Sequence, residues 1–203
     1  MIHPNTELRF ISPEKGFGVV ATELIPKGTI TWAFDALDQV FTPVQFAAMD
    51  PRYRAILDKY SYRDHDGVYI LCWDNARYLN HSFLSSCITT TYNFELAVRD
   101  IHPGEELTDD YGYLNLDKPW DCLPEPGSSR TRVMPDDLLH FHEEWDALLR
   151  DAFRVYNQVA QPLSWLIEEP YRDKVASIAS GNAEMDSILN CYFDRTKHPN
   201  LFL

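Results

Sequence analysis

Short apolar segments, separated by Pro, Gly and charged residues, dominate the first half of the chain. These segments occupy residues 7–34, 60–73 and 89–98. Their β-branched and aromatic content predicts short strands, with tight turns at 26–28 and at Asp66 and Gly67. Residues 43–59 have a helical composition, which Pro51 is expected to interrupt.

The pattern changes in the second half of the chain. Residues 120–135 include many Pro, Gly and Ser residues and predict a linker. From Asp136 onward, apolar residues recur with the period of a helix, and the acidic pair Asp136 and Asp137 suits its N-terminal end. The predicted apolar stripe consists of Leu138, Phe141, Trp145, Leu148, Leu149, Ala152 and Tyr156. Further helices are expected at 163–180 and 184–193.

The sequence thus predicts a β-rich α+β protein in three parts, without internal repeats. The β-rich part spans residues 1–119, the linker spans 120–135, and a helical C-terminal extension spans 136–203. A chain of 203 residues can bury a sizeable core. Its 45% hydrophobic and 24% charged residues are ordinary for a globular protein.

No segment of the sequence predicts a membrane anchor or a secretion signal. No apolar run approaches the roughly 20 residues needed to span a bilayer. The first residues lack the basic flank and the apolar stretch of a signal peptide. We therefore expect an intracellular, cytoplasmic protein without a membrane partner.

The charge balance narrows the class of partner. The net charge is −13, with 18 basic residues. Because a nucleic-acid-binding protein needs a basic surface to neutralise phosphates, we expect no direct nucleic-acid partner. An acidic surface favours encounter with a basic protein, although solubility alone accounts for the charge equally well. Composition leaves the oligomeric state open.

The cysteines do not form a recognisable framework. The four are Cys72, Cys87, Cys122 and Cys191, and none stands in a C-x-x-C pair. This spacing argues against a set of disulfides and against a self-contained zinc site. We expect most of these cysteines to be buried free thiols.

Three polar segments stand out from the apolar pattern. They are Lys15-Gly16-Phe17-Gly18, Arg77-Tyr78-Leu79-Asn80-His81-Ser82, and the stretch from Gly104 to Gly112, which reads G-E-E-L-T-D-D-Y-G. Taken singly, each has an ordinary structural explanation: a glycine turn, a hydrogen-bonded Asn-His turn, and a tyrosine buried in a sheet. Their order and spacing along one chain are much more specific.

In this order, the three segments resemble the SET-domain protein lysine methyltransferases. The family pattern runs K-G-x-G, R-F-I-N-H-S-C-x-P-N and G-E-E-L-T-x-D-Y-G, and the resemblance covers about residues 7–122. It implies the β-clip SET fold over residues 1–119, with short sheets around a pseudoknot. A degenerate post-SET linker and helices like the C-terminal extension of bacterial SET proteins would follow. It also implies S-adenosyl-L-methionine on one face and the target lysine in a narrow channel on the other.

The implied reaction explains why these residue types are required. Only a neutral amine can attack the sulfonium methyl group, and neutralising a lysine with a pKa of about 10.4 at neutral pH costs roughly 4–5 kcal/mol. An apolar channel and the positive charge of the cofactor both lower that pKa. Positioning then supplies much of the remaining catalysis.

The resemblance assigns roles by position. Tyr111 is the catalytic tyrosine, whose hydroxyl orients the amine and stabilises the methyl group in transit. The cofactor-binding residues carried over are Lys15, Gly16, Phe17, Gly18, Tyr60, Arg77, Asn80, His81 and Tyr111. Asn80 and His81 would contact the adenine and its flank. Tyr60 would reach the amino-acid end of the cofactor, and Arg77 is either near the cofactor or structural.

The sequence departs from the family pattern at its metal site. Phe83 stands where many members have the first zinc-binding cysteine, and the tail segment around Cys122 lacks the second and third cysteines. We therefore predict no zinc. The channel must then be closed by packing, for which Trp120 and Leu123 are the candidates, held by the C-terminal helices. A structural role for these helices and a role in substrate recognition are both open.

The substrate channel departs from the pattern at Asp109 and Phe34. Two residues before the catalytic tyrosine the family usually has Phe or Tyr, which limits the number of methyl groups added, and Asp109 leaves that number open. If Asp109 faces the channel, it would attract the ammonium form of the substrate. If it faces solvent, the aromatic role passes to another residue. Phe34 replaces a channel tyrosine and makes that wall more apolar.

The sequence therefore predicts an S-adenosylmethionine-dependent protein lysine N-methyltransferase that acts on a basic protein. The alternative is a catalytically inactive SET-like module that binds cofactor or protein, because Asp109 and the lost zinc site alter the family's machinery. A histone-like target is not required, since a ribosomal or secreted effector substrate is equally compatible with the charge.

Overall fold

The computed structural model describes residues 1–197 of the chain. Its strands are β1 (Thr6–Ser12), β2 (Gly16–Ala21), β3 (Ile30–Ala33), β4 (Gln39–Phe41), β5 (Ser61–Arg63), β6 (Tyr69–Leu71), β7 (Asn80–His81), β8 (Cys87–Thr89), β9 (Phe94–Ala97), β10 (Thr108–Asp109), β11 (Trp120–Asp121) and β12 (Arg132–Val133). Its α-helices are α1 (Pro43–Ala48), α2 (Pro51–Tyr60), α3 (Asp137–Phe153) and α4 (Glu169–Ala179). The predicted mixture of short strands and helices is confirmed. The end of the predicted extension, 198–203, lies outside the described residues.

The strands form several small sheets rather than one large sheet. β3, β9 and β8 form an antiparallel sheet in that order, and β4, β6 and β5 form a second. β1 pairs with β2, and β11 with β12, as antiparallel hairpins. β7 and β10 lie far apart in the sequence and pair in parallel. This last pairing joins two of the polar segments.

The strand predicted at 89–98 is a hairpin, so the prediction of one continuous strand is wrong. β8 ends at Thr89, β9 begins at Phe94, and Asn93 in the turn between them has a φ of 60°. The Thr90 hydroxyl donates a 2.7 Å hydrogen bond to the Phe94 carbonyl across the turn. Asparagine tolerates the left-handed conformation better than most residues, which allows this β-branched run to reverse its direction.

Two local predictions are confirmed. β5 and β6 are joined by a turn in which Gly67 has a φ of 82°. The helix at 43–59 is interrupted at Pro51, which begins α2, and Asp50 caps α2 by accepting a 2.9 Å hydrogen bond from the Arg52 amide. A residue before proline avoids the helical conformation, so Asp50 is extended and separates α1 from α2.

Helix α3 packs directly on the sheet formed by β3, β9 and β8. Its buried residues belong to the same apolar cluster as residues of all three strands, and they include Leu138, Trp145, Leu149, Ala152 and Phe153. The predicted stripe is wrong at Leu148, which is 43% exposed. The helix ends at Phe153 rather than at Tyr156, although both residues are buried in the core.

The helices predicted after α3 are shorter than expected. Of 163–180, only α4 is α-helical, preceded by a 3₁₀ turn at Ser164–Leu166. Pro170 lies in the first turn of α4, where its missing N–H does no harm, and this favours the later start. Residues 184–193 contain a 3₁₀ turn at Ile188–Cys191 and no α-helix. Within the described chain, no helix is long and apolar enough to cross a bilayer.

Candidate active site

The parallel pairing of β7 with β10 brings the second and third polar segments together. Thr108 lies beside Asn80, and Asp109 lies beside His81. The Ser82 amide extends the pairing with a 2.9 Å hydrogen bond to the Asp109 carbonyl. Polar side chains from two distant segments of the chain therefore share one site.

Tyr111 follows β10 closely and is held at both ends. Its amide donates to His81 Nδ1 at 3.2 Å, and its hydroxyl donates to the Leu79 carbonyl at 2.7 Å. The turn that starts here is capped by Asp110, whose Oδ1 accepts from the Gly112 amide at 2.9 Å. Burial raises the pKa of the Tyr111 hydroxyl above its ordinary value, so it stays protonated at neutral pH.

His81 is a neutral ring with one unused donor. Because Nδ1 accepts the Tyr111 amide hydrogen, the ring proton is assigned to Nε2. Burial, and next the charge of Arg130, lower the pKa of His81 to about 4. Nε2 is buried and has no hydrogen-bond partner within residues 1–197. Since a buried donor without a partner is costly, this position suits an acceptor from a ligand.

The glycine segment at the β1–β2 hairpin packs against Asn80. Asn80 Nδ2 donates to the Phe17 carbonyl at 3.1 Å and to Glu106 Oε1 at 2.6 Å. A Cβ atom at Gly18 would lie 2.3 Å from the same Glu106 oxygen and 2.8 Å from Asn80 Nδ2, so a larger residue would displace these side chains. Lys15 Nζ forms a 3.0 Å ion pair with Glu106 Oε2. All three polar segments therefore adjoin one another.

A cavity of about 120 Å³ lies beside Tyr111. Four predicted site residues line it, namely Tyr60, Arg77, Asp109 and Tyr111. Six others form a separate group, which we call the polar cluster: Lys15, Gly16, Phe17, Gly18, Asn80 and His81. Phe34 does not line the cavity, whereas Trp32, two residues earlier in the chain, does. The site thus has two parts, with Tyr111 contacting both.

The mouth of the cavity is formed by the end of α2 and the turn before β7. Tyr60 packs edge to face on Tyr78, with ring centroids 5.4 Å apart. The Arg77 guanidinium lies 5.2 Å from the centre of the same ring and is exposed. Asp58 and Lys59, which also line the cavity, are exposed as well. The cavity therefore opens to solvent on this side.

The inner wall of the cavity carries two buried carboxyl groups. Asp109 is 4% exposed and accepts a 3.1 Å hydrogen bond from the Tyr113 hydroxyl. Burial raises the pKa of Asp109 to about 7. Glu95 is 6% exposed and lies opposite Trp32 in the β3–β9 pairing. Burial, and next the charge of Asp109, raise the pKa of Glu95 well above its ordinary value.

Glu95 is a site residue that sequence reasoning did not find. It is the one acidic residue of β9, whose neighbours Phe94 and Leu96 belong to the apolar core. Because side chains alternate along a strand, Glu95 lies on the opposite face, toward the cavity. The signal available in the sequence was a single acidic residue within a short apolar strand.

Asp109→Asn is expected to stabilise the protein at mildly alkaline pH. The folded protein binds the Asp109 proton more tightly than the unfolded chain does, because the pKa rises from 3.8 to about 7 on folding. The wild type therefore loses stability as the pH rises through this range, whereas asparagine carries no charge. We expect thermal melts to place the variant about 5 °C above wild type at about pH 8, with little difference near pH 4.

Asp173→Asn is the matched control, since Asp173 lies on the exposed side of α4. This substitution should leave the melting temperature close to that of wild type at every pH. A melting temperature for Asp109→Asn below that of wild type at alkaline pH would contradict the high pKa of Asp109.

The predicted linker, 120–135, folds back onto the site as the β11–β12 hairpin. In the loop between these strands, the Glu125 carboxylate accepts hydrogen bonds from the Ser82 hydroxyl at 2.6 Å and from the Phe83 amide at 2.7 Å. The hairpin is therefore attached to the residues that directly follow β7.

Trp120 covers Tyr111. Its ring stacks on Tyr111 with centroids 5.4 Å apart and meets the edge of His81 at 5.5 Å. Leu123, the other residue expected to close the channel, is 72% exposed. The packing over Tyr111 therefore comes from Trp120.

Arg130, which lies shortly before β12, also anchors the β11–β12 hairpin. Its guanidinium forms ion pairs with Asp110 and, at 2.6 Å, with Asp137 at the start of α3. Its Cζ atom lies 4.4 Å from the ring centre of Phe83 and 4.2 Å from that of Phe141. Phe83, which stands where the SET pattern has a zinc-binding cysteine, thus packs on an organic cation. The absence of zinc stays a prediction.

Comparison with protein families identifies the domain to which this site belongs. Residues 16–112 match the family model of the SET domain. This range contains every predicted site residue except Lys15. A search of curated proteins gives no match to the chain. SET domains are generally those of lysine methyltransferases, and the three polar segments of the site lie within or beside the matched range. Residues 16–112, just under half of the chain, therefore match a SET domain.

Proposed function

We propose that the chain is an S-adenosyl-L-methionine-dependent protein lysine N-methyltransferase. One observation carries the proposal: the Tyr111 hydroxyl and the Leu79 carbonyl meet at 2.7 Å, and both residues line a cavity that opens to solvent. Two fixed oxygen atoms beside a cavity suit a reaction in which a positively polarised methyl group passes to an amine. The match to the SET domain supports the same chemistry.

The parallel pairing of β7 and β10 supports the fold expected of such an enzyme. We take it to be the pseudoknot of the β-clip fold, because it joins two segments that are distant in the chain. Tyr113, just beyond β10, lies in the same apolar cluster as residues of α3. We infer that the C-terminal helices support the active site from behind, which favours a structural role for α3.

The polar cluster fits the adenosyl part of the cofactor. His81 Nε2 is a buried donor without a partner in the described residues, as hydrogen bonding to an adenine nitrogen requires. Gly16 has a φ of 78°, and nothing lies within 4 Å of a Cβ atom added there, which leaves space beside the backbone. The residues proposed to hold the cofactor are Lys15, Gly16, Phe17, Gly18, Tyr60, Arg77, Asn80, His81 and Tyr111. When bound, S-adenosylmethionine supplies the electrophilic methyl group.

Tyr111 has the role of orienting the amine. Its proton is directed to the Leu79 carbonyl, so its oxygen lone pairs are left to accept a hydrogen bond from the amine. Such orientation contributes several kcal/mol to methyl transfer. Asp109 lies in the channel wall beside Tyr111. Phe34 packs against the apolar cluster around Trp32, so we assign it an indirect role in shaping that wall.

The proposed substrate is a lysine side chain on a basic protein. The net charge of −13 favours encounter with such a protein, and a narrow cavity with acidic groups in its wall suits a long cationic side chain. Histones, ribosomal proteins and other basic targets fit these features equally well.

The test is incubation of the chain with isotope-labelled S-adenosylmethionine and a panel of basic proteins, with calorimetry of cofactor binding alongside. We expect cofactor binding and transfer of label to at least one protein. Absence of both binding and transfer would overturn the proposal.

The second candidate is a SET-like module that binds cofactor or protein without turnover. The buried acids Asp109 and Glu95 favour it, because a negative charge in the channel stabilises the unreactive ammonium form of lysine. Tight cofactor binding without transfer to any protein of the panel would support this candidate.

A further inference from the structure

We propose that Asp109 and Glu95 together bind the ammonium group of the target lysine and that the Asp109 carboxylate accepts its proton. This inference rests on the proposed function and names the residues that prepare the amine. Both carboxyl groups line the cavity that Tyr111 also lines. They arrive there on different strands, β9 and β10, so the fold brings them together.

Residues in the wall of the cavity have buried polar atoms without hydrogen-bond partners in the described residues. Glu95 Oε2 and Trp32 Nε1 are both buried, and neither has a hydrogen-bond partner within the described residues. Both residues line the cavity. Buried polar atoms in folded proteins are nearly always paired, so the unpaired Glu95 oxygen indicates a bound donor. The Trp32 N–H is itself a donor and would need an acceptor instead. An acceptor that is a carboxyl oxygen suits an N–H donor such as an ammonium.

The surroundings of the pair leave its charge largely uncompensated. The titratable groups that face it are Tyr62, Cys72, Cys87, Asp110, Tyr111, Tyr113 and the N-terminal ammonium. The charged side chains of Asp58, Lys59 and Arg77 also line the cavity, at its mouth, where they are exposed to solvent. Burial raises the pKa of the tyrosines and cysteines among them, so these groups are neutral at pH 7. The N-terminal ammonium already forms a 2.9 Å ion pair with Asp35, and Asp110 is paired with Arg130. A cation from the substrate is therefore the natural counter-charge.

The two acids have different roles because Glu95 and Asp109 bind their protons with different affinity. Glu95 holds its proton more tightly than a free glutamate does, since burial and next the charge of Asp109 raise its pKa well above its ordinary value. Asp109, with a pKa of about 7, is ionised in roughly half of the molecules at neutral pH. When Asp109 is ionised and Glu95 is protonated, the pair carries one proton and one negative charge.

The proton transfer is balanced within the pair and the substrate. An N–H bond of the ammonium breaks, the proton bonds to a carboxylate oxygen of Asp109, and the electron pair stays on nitrogen. The ion pair becomes a neutral amine beside two neutral acids, which a buried cavity favours over separated charges. The amine is then ready for the methyl transfer of the proposed function, and the proton on Asp109 returns to water after the product leaves.

The first test uses butylammonium, which matches the end of a lysine side chain, and does not require activity. We expect NMR titration of the wild type to show affinity that rises roughly tenfold from about pH 6 to about pH 8, because the ionised fraction of Asp109 rises by that factor. Asp109→Asn should abolish the pH dependence, and Glu95→Gln should weaken binding. Butanol, the neutral analogue, should show no pH dependence. No butylammonium binding, or equal binding by Asp109→Asn, would overturn the inference.

The second test is the pH profile of methyl transfer. In the wild type, kcat/KM should rise through about pH 7 and then level off, as expected for a base with the pKa of Asp109. In Asp109→Asn it should be about 100-fold lower at neutral pH and keep rising toward the lysine pKa of about 10.4. Melting temperatures at or above that of wild type would show that both variants fold.

Different results would refute the proposed methyltransferase function and the proposed ammonium site. Butylammonium binding with the expected pH dependence, without cofactor binding or methyl transfer, would refute the proposed function and leave the ammonium site intact. Methyl transfer with the same pH profile in wild type and Asp109→Asn would refute the ammonium site and leave the proposed function intact.

Discussion

Arg130→Met is expected to lower the free energy of unfolding by about 3 kcal/mol at neutral pH. The substitution keeps much of the volume that packs on Phe83 and Phe141 but leaves the buried carboxylates of Asp110 and Asp137 without their shared cation. Removing one partner of a buried ion pair is costly because an uncompensated charge stays behind. Urea denaturation of wild type and variant measures the difference.

The loss should depend on pH in a predictable direction. Burial already raises the pKa of Asp110 to about 6, so at about pH 5 this carboxyl is mostly protonated and gains little from Arg130. We therefore expect a smaller loss at about pH 5 than at about pH 8. Arg132→Met is the matched control, since its ion pair with Asp121 is exposed and should contribute less than about 1 kcal/mol. Equal losses in the two variants would contradict the structural role of Arg130.

Tyr111→Phe is expected to reduce kcat for methyl transfer by about 100-fold or more. The substitution removes the hydroxyl that is fixed on the Leu79 carbonyl, while the ring keeps its stacking on Trp120. Loss of one oriented polar group in an active site typically has an effect of this size. Because the group acts on the reacting amine, we expect KM to change much less than kcat. Steady-state kinetics with a substrate from the basic-protein panel measure both.

The control for Tyr111→Phe separates catalysis from folding. Tyr53→Phe removes an exposed hydroxyl on α2 and should leave both kcat and the melting temperature unchanged. The melting temperature of Tyr111→Phe should fall by only a few degrees, since one hydrogen bond contributes about 1 kcal/mol. A kcat close to that of wild type in a folded Tyr111→Phe variant would remove Tyr111 from the catalytic machinery.

The residues of the polar cluster were predicted individually from the sequence, and the structure brings them together. A glycine that approaches another side chain closely has few substitutes, as the 2.3 Å contact of a Cβ at Gly18 illustrates. Asn80 and His81 are recognisable for the same reason, because their directional hydrogen bonds depend on their chemical type. Such constraints leave a motif in the sequence, whereas the proposed roles of these residues await the tests above.

The wall of the cavity was predicted less well. Trp32, rather than Phe34, lines the cavity, and the register shift between β3 and β9 at this point is not visible in the residue pattern. Glu95 was not predicted as a site residue, because the sequence of one strand does not show which face of the sheet its acidic side chain occupies until the pairing with the next strand is known. The cavity wall is therefore a product of pairing between strands that are distant in sequence.

The structure of residues 120–135 was also not predicted from the sequence pattern. Residues 120–135 have the composition of a linker, yet they form a hairpin held by Glu125 and Arg130. Both anchors bind groups outside the hairpin, at Ser82 and at Asp110, so no local pattern reports them. Loss of the family's cysteines was visible in the sequence, but the ion pairs and aromatic contacts that now hold the tail were not.

The most direct test of the central claim is to locate the transferred methyl group by mass spectrometry. The chain is incubated with a basic-protein substrate and S-adenosylmethionine that carries a deuterated methyl group, in parallel with Tyr111→Phe. The proposed function predicts a deuterated methyl group on the ε-nitrogen of a lysine, formed by wild type and strongly reduced in the variant. Label on a different side chain, or equal labelling of lysine by wild type and Tyr111→Phe, would contradict it.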